Sequence, residues 1–125
     1  MRLNLKDNAK RIAWLFLAVL AGTFLDYLVH SVSPDFAVPD YYFRDKIIFA
    51  TLWLWVGVGI FWRMRSPWPK TLAVTAFFAV VLQTRYFLTG YPLWFVLFFM
   101  GVHFVVFAPP VYVVFVRNRR LFGLG

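Results

Sequence analysis

The sequence predicts an all-α integral membrane protein with four transmembrane helices in one compact bundle, and three observations support this. The chain of 125 residues is 62% hydrophobic and 14% charged, whereas a soluble domain is about 45–50% apolar and about 25% charged. Four segments approach the roughly 17 to 25 apolar residues that a helix needs to cross a bilayer. These segments are apolar on every side, unlike the alternating strands of a membrane barrel. The length leaves room for a single domain, residues 1–125.

The four predicted spans are joined by a long loop, residues 33–45, and by two shorter connections. We expect the second span to be extended by residues 41–43, because it is the shortest. The fourth contains Pro109 and Pro110, which remove backbone donors and should kink or break the helix near its end. The first is a retained span rather than a cleaved signal peptide, because Pro34 stands where cleavage would occur. We place the spans at residues 12–32, 46–62, 71–89 and 93–116.

The positive charges predict the topology. Thirteen Lys and Arg residues accompany five Asp and no Glu, a formal charge of +8. Ten of the thirteen lie on one side of the predicted membrane, so the positive-inside rule places both termini in the cytoplasm. We expect the membrane to be the plasma membrane. They form three short clusters that fit anionic lipid headgroups rather than nucleic acid, which we do not expect as a partner. The ten residues are Arg2, Lys6, Lys10, Arg11, Arg63, Arg65, Lys70, Arg117, Arg119 and Arg120.

Ionisable residues inside the spans are costly, so each is a candidate functional residue. At about 1.5 Å of rise per residue, Asp26 and Arg85 lie about 22 Å, and His103 about 21 Å, from the cytoplasmic boundary. We expect Asp26 and Arg85 to form an ion pair, because either charge alone would be uncompensated. With His103, and with Tyr27 or Tyr86 as its hydrogen-bond partner, they form the predicted outward-facing polar site.

Further residues extend this site towards the outer surface. His30 lies one helical turn above Asp26, and Asp45 and Lys46 are expected to form the outer mouth. Gln83 should lie opposite Arg85 and bridge helices rather than complete the site, since two residues advance about 200° around a helix. Small residues at a spacing of four allow another helix to approach closely, and the first span carries the stripe Ala18, Gly22, Asp26 and His30.

A metal site is an open alternative. Asp26, His30 and His103 offer one carboxylate and two imidazoles, a set that suits Zn, Cu or Fe. Against it, Arg85 at the same depth would repel a cation. A pigment ligated by His103 is also open, so the cofactor is unknown. The chain has no Cys, which excludes thiolate ligands, and it has neither a catalytic triad nor a phosphate-binding loop, which argues against an enzyme.

Three functions stay open from the sequence. The first, which we favour, is binding or transport of a small polar or amphiphilic ligand at the polar site, by a homo-oligomer because four short spans enclose little space. The second is a structural or accessory subunit of a larger membrane complex, packed on partners, lipid or pigment. The third is a membrane enzyme acting on a lipid or quinone, with His103 as acid–base or metal ligand. Alignment of the two halves matches Asp26 with Arg85, which favours two parallel hairpin repeats.

Overall fold

The computed structural model describes residues 4–124, and these form four α-helices. The predicted all-helical fold is therefore confirmed, whereas Arg2 of the first positive cluster lies outside the described residues. One 3-10 turn, Pro34–Phe36, lies in the connection after the first helix. The helices are α1, Leu5–His30; α2, Tyr41–Ile60; α3, Pro67–Leu88; and α4, Leu93–Arg117.

Three of these helices, α1, α3 and α4, are long and apolar enough to cross a membrane. The remaining helix, α2, has 20 residues and carries Arg44, Asp45 and Lys46 near its start. Large apolar side chains also point away from the bundle, among them Phe24 and Leu88, which are 61% and 80% exposed. Contiguous exposed apolar surface of this kind is typical of a protein surrounded by lipid. The chain is thus a helical membrane protein with three candidate spans.

The helices begin where local chemistry allows. α1 begins before the predicted boundary because Asn4 caps it, with Oδ1 accepting hydrogen bonds from the backbone N–H of Lys6 at 3.0 Å and of Asp7 at 3.3 Å. α2 begins at Tyr41 and includes residues 41–43, as expected. α3 begins at Pro67, a favourable first helical position because proline lacks the N–H that would go unpaired there.

The helix does not break at Pro109 and Pro110, because α4 continues through both residues to Arg117; the alternative of a kink stays a prediction. Phe107 and Val111, on either side of the pair, are completely buried in the main core. Tertiary packing on both sides therefore holds the helix together where two backbone hydrogen bonds are missing, as neighbouring helices commonly do in membranes.

The four helices form a ring in which α1 and α3 each pack on α2 and α4. The main hydrophobic core fills its centre and includes Leu15, Leu54, Phe78 and Phe107. A second, largely aromatic core lies near the α3–α4 turn and comprises Tyr42, Tyr86, Phe95, Val96 and Phe99. Tyr86 is important below, because it also belongs to the candidate site.

The first turns of α1 and residues 121–122 meet at one end of the bundle. The Arg11 Nε donates a hydrogen bond to the carbonyl of Leu121 at 2.7 Å. The Lys70 Nζ donates to the carbonyl of Phe122, and also to that of Trp62 at 3.2 Å. The start of α1, the α2–α3 connection and the C-terminal segment are therefore joined through two buried cationic side chains.

The close approach of α1 and α4 at Gly22 gives a stability prediction. A Cβ at this position would lie 2.3 Å from Cδ1 of Phe107, whose ring is completely buried. We expect Gly22→Ala to lower the free energy of unfolding by about 1–3 kcal/mol through overpacking, measured by thermal unfolding in detergent. Gly101→Ala is the matched control, because nothing lies within 4 Å of the added Cβ. Equal stability of the two variants would contradict the close approach.

Candidate functional site

Polar side chains from all four helices meet inside the apolar bundle. Asp26 of α1 and His103 of α4 are completely buried, and Lys46 of α2 is 4% exposed. Burying an ionised group in such surroundings is costly unless it is paired and hydrogen-bonded. We call these residues the polar cluster, and its members are Asp26, His30, Lys46, Gln83, Tyr86 and His103.

The centre of the polar cluster is an ion pair between Lys46 and Asp26. The Lys46 Nζ contacts Asp26 Oδ2, donates to the Tyr86 hydroxyl at 3.0 Å, and lies 3.1 Å from Nε2 of His103. An ammonium group has three N–H donors, and here each has a partner on a different helix. The ion pair therefore joins α1, α2, α3 and α4 through a single nitrogen atom.

The hydrogen bonds of His103 assign its tautomer. Nδ1 of His103 lies 2.6 Å from Oε1 of Gln83, while the Gln83 Nε2 donates to the carbonyl of Val96 at 2.6 Å. Because the amide oxygen can only accept, Nδ1 carries the hydrogen. Nε2 of the neutral ring is then unprotonated, and it faces Lys46 and, at 3.4 Å, Oδ1 of Asp26.

In His30, too, Nδ1 is a hydrogen-bond donor. Its Nδ1 lies 2.6 Å from the carbonyl oxygen of Phe36, which can only accept, so Nδ1 is the donor. Its Nε2 then lies 3.5 Å from Oδ2 of Asp26. The ring is fixed by stacking on Phe99, with centroids 4.0 Å apart and planes 5° apart. Both histidines of the chain thus direct Nε2 towards the same carboxylate.

Two buried polar atoms of the polar cluster lack a hydrogen-bond partner. Within the described part of the chain, Asp26 Oδ1 and His30 Nε2 are buried atoms with no hydrogen-bond partner. Ligand atoms of Asp26, His30 and His103 all lie within 4.8 Å of one another. The cluster is thus electron-rich on the side where these three residues meet.

The structure brings together Asp26, His30, His103 and Tyr86, but the predicted ion pair between Asp26 and Arg85 is wrong. Arg85 NH1 lies 2.8 Å from Oδ2 of Asp45, and Lys46 takes the place next to Asp26. Counting residues gave the level of Arg85 along α3, but it did not give the direction in which the side chain points, because each residue turns the helix by about 100°. The alignment of two hairpin repeats, which matched Asp26 with Arg85, gains no support from these different partners.

Two other sequence predictions need correction. Tyr27 is 49% exposed and packs edge-on against Phe43, with centroids 5.2 Å apart, rather than on His103. Gln83 bridges α3 and α4, as expected, but it does so within the site, through its hydrogen bonds to His103 and to the carbonyl of Val96. The signal for Gln83 was its spacing of three residues from Tyr86, which places both side chains on one face of α3.

A cavity of about 540 Å³ opens between α2 and α3 beside the polar cluster. We call it the lateral cavity. Its charged end contains Asp45 and Arg85, whose side chains are 26% and 33% exposed, while Lys46 and Tyr86 belong to both the cavity and the polar cluster. The remaining lining is mostly apolar: Phe49, Trp53, Val81, Leu82 and Leu88, with Tyr42, Thr84 and Thr89.

Aromatic rings hold the Arg85 guanidinium at this end of the cavity. It lies 4.2 Å from the ring centroid of Tyr42 and 5.6 Å from that of Tyr41. Stacking on an aromatic face stabilises a guanidinium while leaving N–H groups in its plane available. Arg85 is therefore oriented by Tyr42 and Asp45 and still borders open space.

Fold and site together define a class: a small helical membrane protein with a buried Asp/His group and an adjoining cavity between two helices. No protein-family model, curated protein or solved structure matches the chain. Its function is accordingly argued from the residues of the polar cluster and of the lateral cavity.

Proposed function

We propose that this protein binds a small amphiphilic ligand with an anionic head in the lateral cavity. The observation that carries the proposal is the division of the cavity lining, which has Arg85 and Lys46 at one end and apolar side chains along the rest. The volume of about 540 Å³ falls within the range of about 300–1,000 Å³ for small-molecule sites. The described lining residues belong to α2, to α3 and to Thr89 directly after α3, so an amphiphile enters sideways from the surrounding lipid.

The proposal includes α2 as a fourth membrane span with both termini in the cytoplasm. Its 20 residues extend about 30 Å, the thickness of the hydrocarbon core. The charges near its start are neutralised within the bundle, because Lys46 pairs with Asp26 and Asp45 pairs with Arg85. An even number of spans agrees with the contact between Arg11 and Leu121 at one end of the bundle. The positive-inside rule assigns that end to the cytoplasmic side of the membrane, which we propose to be the plasma membrane.

Arg85 is the proposed anchor for the anionic head. A guanidinium has five N–H donors, and the carboxylate of Asp45 is its acidic partner here. Asp45 also lies 3.9 Å from the largely exposed Arg44, so two cations share one carboxylate at this end of α2. The remaining positive charge favours a carboxylate or phosphate head, which an arginine can hold with two parallel hydrogen bonds.

Arg85→Gln tests this function. We expect it to weaken binding of a fatty acid brominated at mid-chain by about tenfold or more, the value of one charge-assisted hydrogen bond. The protein is placed in nanodiscs of zwitterionic lipid, and binding is followed by saturable quenching of Trp53, which lines the cavity. A Trp53→Phe variant identifies the part of the signal that comes from this residue.

Arg44→Gln is the matched control. It removes the same charge from the neighbourhood of the same carboxylate, but Arg44 has a side chain that is 77% exposed and is not part of the cavity lining. The control variant should keep the affinity of the unmodified protein, and an uncharged alcohol of equal chain length should bind more weakly than the acid. Equal affinities of Arg85→Gln and Arg44→Gln would contradict the proposal.

A further inference from the structure

We infer that Asp26, His30 and His103 form a binding site for a divalent transition-metal ion, with the ammonium of Lys46 filling the site when no ion is bound. The proposed ion is one that accepts imidazole and carboxylate together, with Zn²⁺ and Co²⁺ as the test ions. This inference concerns the polar cluster, and it does not depend on amphiphile binding in the lateral cavity.

The spacing of the ligand atoms fits such an ion. Tetrahedral zinc has bonds of about 2.0–2.2 Å to nitrogen and oxygen, which puts neighbouring ligand atoms about 3.4 Å apart. Asp26 Oδ1 lies 3.4 Å from His103 Nε2, and Asp26 Oδ2 lies 3.5 Å from His30 Nε2. All three residues offer a ligand atom within 4.8 Å of the others, so a small closure of the site brings them to one ion.

The outer hydrogen bonds of both histidines favour coordination. A metal-binding histidine almost always donates its other ring N–H to a carbonyl, carboxylate or water, which fixes the tautomer and the orientation of the ring. Here Nδ1 of His30 donates to the Phe36 carbonyl, and Nδ1 of His103 donates to the Gln83 amide oxygen. Gln83 is itself held by the carbonyl of Val96, so its amide oxygen is fixed in the accepting position.

The unpartnered atoms point to a missing cation. Asp26 Oδ1 and His30 Nε2 are buried without a hydrogen-bond partner, and their residues are 0% and 5% exposed. Buried polar atoms without a hydrogen-bond partner are destabilising. A cation between the three side chains satisfies both unpartnered atoms at once.

Lys46 explains how the cluster exists without the ion. Its ammonium contacts Asp26, Tyr86 and His103 and so supplies one positive charge in the same place. Lys46 also lines the lateral cavity, where Asp45 offers a second carboxylate. When the metal ion binds, the ammonium withdraws towards Asp45, and Lys46 therefore competes with the ion for Asp26.

The test compares the unmodified protein with Lys46→Met, which removes the competing ammonium but keeps a long apolar side chain. Both are purified in mild detergent, stripped with chelator and titrated with Zn²⁺ by calorimetry and with Co²⁺ by visible absorption. We expect one ion per chain, a Co²⁺ spectrum of tetrahedral type, and binding at least tenfold tighter in Lys46→Met. Zn²⁺ should also raise the unfolding temperature of Lys46→Met more than that of the unmodified protein.

Asp26→Asn removes the carboxylate ligand and should abolish the Co²⁺ spectrum, whereas Asp40→Asn, in the outer loop, should leave it unchanged. Arg85→Gln should also keep the metal site, which separates this inference from the proposed function. Should Asp26→Asn fail to fold, the comparison of Lys46→Met with the unmodified protein decides alone. The inference is overturned if neither protein binds Zn²⁺, if Lys46→Met binds no more tightly, or if a folded Asp26→Asn retains the spectrum.

Discussion

Lys46→Met is expected to lower the free energy of unfolding of the metal-free protein by about 3–5 kcal/mol, the usual loss when one partner of a buried ion pair is removed. The substitution leaves the completely buried carboxylate of Asp26 without its cation. It also removes the donor to the Tyr86 hydroxyl. The effect is measured by reversible unfolding in mixed micelles, after treatment with chelator.

The double variant Asp26→Asn/Lys46→Met tests whether the ion pair is the cause. Removing both charges should restore much of the stability, so that a double-mutant cycle gives a coupling energy of about 2–3 kcal/mol, near the upper end for directly interacting residues. Arg44→Met is the control for loss of a cation from the same helix, and it should be close to neutral because the side chain is exposed. A coupling energy near zero would show that the two side chains do not meet.

Lys70→Met is expected to have the second largest effect. Lys70 is completely buried, and its Nζ is hydrogen-bonded to the carbonyls of Phe122 and Trp62. Each buried carbonyl left without a donor costs about 1–3 kcal/mol. The loss of both hydrogen bonds therefore removes a large fraction of the free energy of unfolding of a small domain. Thermal unfolding in detergent measures the change, and proteolysis should become faster within residues 121–124.

The C-terminal segment provides the specific readout for Lys70. Phe122 is completely buried beside Phe115, so release of the segment removes an aromatic ring from the core. Lys10→Met makes the same chemical change at an exposed position of α1 and should alter neither stability nor proteolysis. Unchanged protection of the segment in Lys70→Met would mean that Arg11 and the packing of Phe122 suffice to hold it.

The level of the intramembrane residues was predictable because helical rise is constant. Asp26 and His103 were placed at almost the same depth by counting, and the structure brings their side chains within 3.4 Å. Depth needs only the position of the membrane boundary and a rise of about 1.5 Å per residue. Composition, segment length and the lack of strand-like alternation likewise sufficed for the helical class.

Which of these side chains point into the bundle was not predictable in the same way. A span that is apolar all round shows no contrast between its lipid face and its core face, so nothing marked whether Gln83 or Arg85 of α3 points inward. Lys46 was expected at the outer mouth with Asp45, but its ammonium contacts Asp26. The expected start of α2 near Tyr41 already put Lys46 more than one turn inside the helix, and only the packing of the helices decides which side chains its ammonium reaches.

The lateral cavity depends on both of these features. It exists because Arg85 turns away from Asp26 towards Asp45, and because Lys46 lies deep enough to join the polar cluster while still lining the cavity. Separations between atoms of different helices decide both points, and these arise from packing rather than from local sequence. The residues of the site were therefore largely recognisable, but their partners were not.

Native mass spectrometry of protein released from its own membranes in mild detergent tests ligand binding most directly. We expect the unmodified chain and Arg44→Gln to carry one amphiphile of lipid-like mass, and Arg85→Gln to lack it. Fragmentation of the complex then identifies the anionic head. A bare chain in all three preparations, or an adduct retained by Arg85→Gln, would contradict binding in the lateral cavity. Release at fixed stoichiometry with other polypeptides would instead support the accessory role.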